Sequence, residues 1–466
     1  GLCYPSLDGT TAAVGSGGED MSKPDETTRR DFMKKVSAGA VAAAGTVAAA
    51  SGLEAARQAP AMAKGRVIGA NDRINVGFVG CGGRMNSHIR RVMARSKEHA
   101  DVQAVAVNDI WDKRKQRARE ATGVDEKSVY HDYRELCARP DVDAVVISSP
   151  DHWHHQHAME ALRNGKDVYL EKPMTYTVDE AKEIAEVVQA SGRVLQVGSQ
   201  YTTMDHFWKA KKAIHDGLLG EVVWASGGFG RNRNQRGEWN YAIDPDATEK
   251  TLDWKAFLGS APKRPFDPER YFRWRKYWDY SGGIATDLFY HTVSPLLVSI
   301  GGDFPLRVTS SGGIYLQKDR EVPDTFFMNV DYPSWTMQLA CSVGSGVGAP
   351  LVIHGSQATL FIGQNSENLN NTQMELVPDQ EYREEFVKKT GTEAMKIEVQ
   401  PFARGSHPHM DNFLECVRSR QEPHLPARLG YQAMAAIGMG VQAYREHEVL
   451  FFDRRRERVS NKPVST

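Results

Sequence analysis

Neither an excess of charge of one sign nor a long apolar run marks this sequence, and both absences narrow what it can do. Lys and Arg total 58 against 59 Asp and Glu, a formal net charge of -1, so the concentrated basic field that a nucleic-acid binder needs is missing and no nucleic-acid partner is expected. Cysteine is scarce as well: Cys3, Cys81, Cys137, Cys341 and Cys416 contain no pair spaced as a zinc knuckle, a CxxC redox site or a disulfide framework. What is present is an ordinary globular composition, 41% hydrophobic and 25% charged, over 466 residues. That length exceeds what one hydrophobic core organises, so two domains behind a non-globular leader are expected.

The leader occupies residues 1–70. Its segment Thr28-Arg29-Arg30-Asp31-Phe32-Met33-Lys34 precedes a weakly apolar, Ala- and Gly-dominated run from Val36 to about Ala50, and Ala61-Met62-Ala63 offers a small-x-small cleavage site. The run is too short and too weakly apolar for a membrane span. The pattern resembles a twin-arginine export signal, which implies the twin-arginine translocation machinery as a partner and a periplasmic or otherwise exported destination. The alternative is a flexible Ala-rich arm with a chance Arg-Arg pair. Met21 stands just ahead of the motif, so residues 1–20 read as an over-extended start or an added extension. Export of an already folded chain removes the need for disulfides and suits the cysteine usage.

From Arg73 the pattern changes. Residues 73–80 form a short apolar run of the kind that makes a buried parallel strand, followed at once by Gly80-Cys81-Gly82-Gly83-Arg84-Met85 and a helix-like stretch. Glycines at the end of a first strand permit a tight turn and bring a pyrophosphate against N–H groups at a helix start. The third glycine of that fingerprint is replaced by Met85. The next strand, Val102 to Val107, ends in Asn108-Asp109, and a carboxylate there suits adenosine ribose hydroxyls, which favours NAD. Lys113 and Arg114 just beyond it suit the 2'-phosphate of NADP, or are solvated charges in a helix's first turn. A strand–helix rhythm then continues through Ala144 to Ser149, His157 to Asn164, Asp167 to Leu170, Val178 to Ala190 and Val194 to Val197, which argues for a doubly wound parallel sheet over residues 71–198.

Ligands of such sheets lie beyond the carboxyl ends of the strands. Two clusters fall there: Pro150-Asp151-His152-Trp153-His154-His155, behind Ser149, and Glu171-Lys172-Pro173. A lysine pinned at a strand end by a proline can stabilise alkoxide character or relay a proton; the alternative is a surface ion pair with Glu171. The histidines match no zinc spacing, so no metal is expected and His154 reads as a substrate or nicotinamide contact. A third cluster, Ser281-Gly282-Gly283 leading to Asp287 and His291, places a carboxylate and an imidazole four apart. On a helix they share a face, and the carboxylate can orient a general base; a purely structural pair would have the same spacing.

Together the three clusters resemble the family of glucose-fructose oxidoreductase and inositol dehydrogenase, Gfo/Idh/MocA, over about residues 71–457. The resemblance implies an α/β fold, an N-terminal Rossmann domain followed by an α/β domain (199–457) with an open, largely antiparallel sheet, and a polar tail at 458–466. It implies a homo-oligomer, a dimer or tetramer, and NAD, with NADP possible, as cofactor. By resemblance Lys172, Asp287 and His291 are catalytic at an alcohol carbon, while Gly80, Gly82, Gly83, Arg84, Met85, Asp109, Ser149, His154, Glu171 and Lys172 surround the cofactor. The implied activity is hydride transfer between a sugar or polyol hydroxyl carbon and the nicotinamide. Two alternatives stay open: a redox-neutral glycoside hydrolase or lyase-like enzyme that oxidises its sugar transiently with tightly bound NAD, and a non-enzymatic protein that inherited the fold.

Between the core elements, residues 231–280 form an insertion rich in Trp, Tyr, Arg and Asn. Its Trp239, Trp254, Trp274 and Trp278 suit stacking on a pyranose, or an arm that packs on another subunit. Residues 365–395 read as an exposed excursion, and His407 and His409 as capping or cleft residues at a helix start.

Overall fold

The computed structural model describes residues 72–232, 237–403 and 406–464, which belong to one compact unit, Pro60–Thr466. The twin-arginine motif and cleavage site lie outside the described residues. Among the described residues no helix is long and apolar enough to cross a membrane.

The first lobe is built on a parallel six-stranded sheet: β1 (Ile74–Val79), β2 (Val102–Asn108), β3 (Val129–Tyr130), β4 (Ala144–Ile147), β5 (Asp167–Glu171) and β6 (Leu195–Gly198), in the order β3-β2-β1-β4-β5-β6. Val, Ile and Phe fill β1 and β4 because helices cover both faces, and all four residues of β4 are buried. Strand order reverses between β1 and β4, the switch point where a ligand crevice opens at the carboxyl ends. Helices α1 (Gly83–His99) and α2 (Asp151–Arg163) both start at that edge. The histidine cluster therefore lies in the first turns of α2 and not in a loop.

The second lobe carries a ten-stranded sheet of β7 (Val222–Gly230), β8 (Arg307–Gly313), β9 (Thr325–Asp331), β10 (Thr336–Ser342), β11 (Leu351–Gly355), β12 (Ala358–Gly363), β13 (Gln373–Pro378), β14 (Met395–Glu398), β15 (Leu450–Asp453) and β16 (Arg458–Ser460). The order is β14-β13-β12-β11-β7-β10-β9-β8-β15-β16, antiparallel except for the β7–β10 pair. In β9 and β10 inward residues such as Phe326, Met328, Met337 and Leu339 alternate with outward ones. The helix Ala427–Glu446 packs on the inner face, with Gly440 against Met328 and Tyr444 against Phe326, and α3 (Tyr290–Ile300) packs against that helix and β7.

Three segments differ from the sequence expectation. Residues 365–395 supply β13 and part of β14, so they extend the sheet rather than leave it. The expected tail at 458–466 begins with β16, paired to β15. Helix α4 (Pro408–Ser419), late in the chain, returns to the first lobe, where Met410, Phe413, Leu414 and Val417 share a buried cluster with Val76 and Phe78 of β1. An apolar helix face needs a partner, and sequence distance does not say which one it takes. His409 on α4 is buried with ring nitrogens 2.9 Å from the Val197 carbonyl and 2.6 Å from Thr203 Oγ1, which makes it a packing residue.

Candidate active site

The glycine turn after β1 is held from three sides. Gly80 has φ +80°, and a Cβ on it would stand 2.8 Å from the Ser149 backbone nitrogen, so the turn admits only glycine there. Asp109 is buried at the end of β2 and braces the turn: Oδ2 accepts from Cys81 N (2.7 Å) and Oδ1 from Trp111 N (2.9 Å). Gly82, Gly83, Arg84, Asp109, Ser149, Glu171 and Lys172 all line one cavity of about 790 Å³, at the upper end of the range for small-molecule sites. A Cβ on Gly83 would meet nothing within 4 Å, which leaves the start of α1 open to a ligand. A bare turn at a helix start, a carboxylate on the neighbouring strand and a cavity between them fit a nicotinamide dinucleotide.

Two expected cofactor contacts are elsewhere. Met85 is fully buried among Val76, Phe78 and Ile89, so its side chain fills the helix–strand gap and leaves the turn unobstructed. His154 is buried behind the cleft, its ring nitrogens 2.7 Å from the Pro173 carbonyl and 2.9 Å from the Ser149 carbonyl. Burial lowers it to about 4, so the ring is neutral, donates to only one of the two carbonyls, and packs between those backbone segments without lining the cavity. Glu171 accepts from Arg84 Nε (2.6 Å) and lies 2.7 Å from His88 Nε2. Burial alone would raise its carboxyl, but Arg84 and His88 outweigh that and hold it far below the usual carboxylate range.

At the other end of the cavity the two lobes meet. Lys172 Nζ donates to both the backbone carbonyl and the Oδ1 of Asp287, each at 2.6 Å. The partner of Lys172 is thus Asp287 of the second lobe and not Glu171. Asp287 sits in a π-helical turn, Ala285–Phe289, that leads into α3. Its Oδ1 also takes Arg275 Nε (3.0 Å) and its Oδ2 takes Trp239 Nε1 (3.2 Å). Burial opposes ionisation here, yet Lys172, Arg275 and Arg231 hold the carboxyl well below its ordinary value.

His291 lines the cavity too, with Nδ1 3.5 Å from Ser199 Oγ and its ring beside Tyr201. The expected orientation of His291 by Asp287 is not what the structure shows: Asp287 is engaged by Lys172, Arg275 and Trp239, and Ser199 and Tyr201 seat the imidazole. Burial, with Lys172 nearby, lowers His291 well below 6.5 and keeps the ring neutral. Asp151, at the start of α2, lines the same cavity and accepts from Ser281 Oγ (2.8 Å). Burial raises it to about 7 against the pull of Arg275 and Lys172.

Sequence reasoning passed over Arg275 and Arg231 as cleft residues and Ser199 as the seat of His291, and gave Asp151, which stood in the first cluster, no role of its own. Arg231 pairs with Glu367 at 2.8 Å, across the region expected to have little bearing on the site. Only the Trp- and Arg-rich composition of 231–280 pointed toward the two arginines. The four tryptophans of the insertion do not form one row of stacking platforms. Trp239 and Trp274 line the cavity, whereas Trp254 packs on Phe257 and Trp278 on Tyr444.

Instead the insertion straps onto the first lobe beside the glycine turn. Asp112 N donates to Thr251 O and Asp253 N to Ile110 O, both at 3.0 Å, on either side of a Trp111–Leu252 bridge. Lys113 is taken by Asp244 (2.8 Å) and Asp246 (2.6 Å) and so is not placed for a 2'-phosphate. Trp153 Nε1 donates to Phe257 O at 2.8 Å. Among the described residues no cluster of His, Cys, Asp and Glu is arranged to hold a metal.

Comparison with known proteins places the chain's two lobes in a known family. A profile of the Gfo/Idh/MocA oxidoreductase family, described as an NAD-binding Rossmann fold, matches residues 74–199. Profiles of that family's C-terminal alpha/beta domain match residues 259–450 and 203–313. Inositol 2-dehydrogenase of Burkholderia multivorans is 34% identical over 182 residues, 38% of this chain and 51% of that protein. A glycosyl hydrolase family 109 protein of Saccharopolyspora erythraea is 30% identical over 222 residues, 45% of this chain and 47% of that protein. The chain spans about half the length of these curated relatives. Levoglucosan dehydrogenase in complex with NADH superposes with a TM-score of 0.62 at 15% identity, covering 81% of this chain and 98% of that one, a likeness of fold.

Proposed function

The chain belongs to the Gfo/Idh/MocA oxidoreductase family, and we propose that it moves a hydride between a hydroxylated carbon of a sugar or polyol and the nicotinamide of NAD(P). The observation that carries this reading is the convergence of Lys172 from the first lobe with Asp287 and His291 from the second in the cavity that the glycine turn opens into. When bound, the nicotinamide supplies the two-electron acceptor. Gly80, Gly82 and Gly83 with the start of α1 would hold the pyrophosphate, and Asp109 the ribose.

The protein's own share is acid–base and electrostatic work. An ammonium carries three N–H donors, and two from Lys172 are spent on Asp287, which leaves one for the substrate oxygen. Asp287 and Arg275 set the position of that ammonium. The neutral His291 ring takes the hydroxyl proton as the C–H electron pair departs, a contribution of about 10²- to 10⁴-fold. In the reverse direction the same ring returns the proton.

The test is absorbance of reduced nicotinamide when the full chain and NAD meet a panel of free sugars and polyols. Reduction with one of them supports the reading. Bound nucleotide with no net reduction, together with NAD-dependent cleavage of an aryl glycoside, would replace it by the redox-neutral cycle, a second reading favoured by the similarity to the family 109 protein. Export by the twin-arginine route belongs to the same proposal, on the strength of the motif at Thr28 to Lys34. Replacing Arg29 and Arg30 by Lys should leave the chain in the cytoplasmic fraction, and unchanged export would refute that part.

A further inference from the structure

The cations around the cleft are not equivalent. Arg84 has Glu171 at 2.6 Å, Lys172 has Asp287 at 2.6 Å, Arg231 has Glu367 at 2.8 Å and Arg275 has Asp287 at 3.0 Å. Arg114 also lines the cavity, and among the described residues no carboxylate lies within ion-pair range of it. Its guanidinium rests over the rings of Trp111 (5.3 Å) and Tyr271 (4.9 Å) and donates from Nη1 to the Tyr271 hydroxyl at 2.8 Å. The same Nη1 is 3.6 Å from where a Cβ on Gly82 would stand. Asp109, whose charge it feels, has its oxygens on the Cys81 and Trp111 backbones.

A guanidinium desolvated by aromatic rings and left without a carboxylate, next to N–H groups at a helix start, is arranged for an anion that comes from outside the chain. Tyr271 belongs to the strap, which is tied to the first lobe through Thr251, Asp253 and Phe257, the last two lining the same cavity.

Resting on the reading that this cleft takes a nicotinamide dinucleotide, we propose that Arg114 and Tyr271 form a retaining pair for one of its phosphates. The strap's phenol holds the guanidinium at the glycine turn, and the nucleotide stays resident between turnovers. The place beside Gly82 suits the pyrophosphate; the 2'-phosphate of NADP is the other source of the same chemistry.

The experiment loads the full chain with NADH or NADPH and follows loss of bound fluorescence after a chase with excess NAD. Tyr271→Phe keeps the ring and its packing but removes the hydroxyl, and should speed release by about ten-fold or more. Arg114→Gln should do the same, Arg114→Lys should restore part of the retention, and affinity for adenosine, which has no phosphate, should stay the same throughout. Equal acceleration for both nucleotides assigns the pair to the pyrophosphate; acceleration for NADPH alone assigns it to the 2'-phosphate. Equal release rates in all variants overturn the pair. Wild-type protein that binds nucleotide but releases it faster than it turns over overturns retention alone, whereas no binding of either nucleotide at millimolar concentration overturns the functional reading beneath it.

Discussion

Lys172 and Asp287 come from different lobes and meet at 2.6 Å, so each acquires its setting only from the other. Lys172→Met removes the donor aimed at the substrate oxygen while leaving the glycine turn intact. Steady-state turnover should fall by about 10²- to 10⁴-fold with NADH affinity, read by fluorescence titration, unchanged. Asp151 offers a second test through pH. Its carboxyl is raised from 3.8 to about 7 by burial, so the protonated form favours the fold, and that stabilisation is complete below 3.8 and lost as pH rises through about 7. Asp151→Asn, which can still accept from Ser281, should therefore melt higher than wild type above pH 7 and level with it near pH 4. A constant difference across that range would refute the assignment.

The strap is the element that sets this cleft apart from a plain two-lobed groove. It turns at Gly259, where φ is +55° and a Cβ would meet the Trp153 ring at 2.6 Å. Gly259→Ala pays both for the left-handed backbone and for the lost ring contact, and should cost about 1–3 kcal/mol in urea unfolding. If the strap covers the nucleotide, release of NADH should quicken in the same variant. The π-helical turn at Ala285–Phe289 is the other element that matters, because it carries Asp287, whose carboxylate meets Lys172 and not its fourth neighbour, His291.

At the scale of the molecule, α4 docks a late segment on the first lobe, and the strap joins the lobes again beside the cleft. Two lobes tied in this way should unfold together. Calorimetry should show one transition, and NADH in free excess of its dissociation constant by about 100-fold should raise the stability of the whole by about 2.7 kcal/mol. Two transitions, with only one shifted by NADH, would show that the lobes unfold separately.

The parallel sheet, the glycine turn, Asp109 at the end of β2 and the Glu171-Lys172-Pro173 strand end were legible in the sequence because each rests on local pattern: apolar runs, glycine where φ is positive, polar residues where strands stop. Seven strands of the second sheet, β7 to β12 and β15, were legible for the same reason, to within a few residues at their ends, whereas β13, β14 and β16 lie in polar stretches without an apolar run. Contacts between distant segments were not. No local signal tells that Lys172 takes Asp287 instead of Glu171, that Met85 packs inward, that His154 faces two carbonyls behind the cleft, or that Trp254 and Tyr271 close over the first lobe. Those choices follow from which surfaces are left to be buried and which charges are left to be paired once the two lobes meet, a competition that only the three-dimensional arrangement decides.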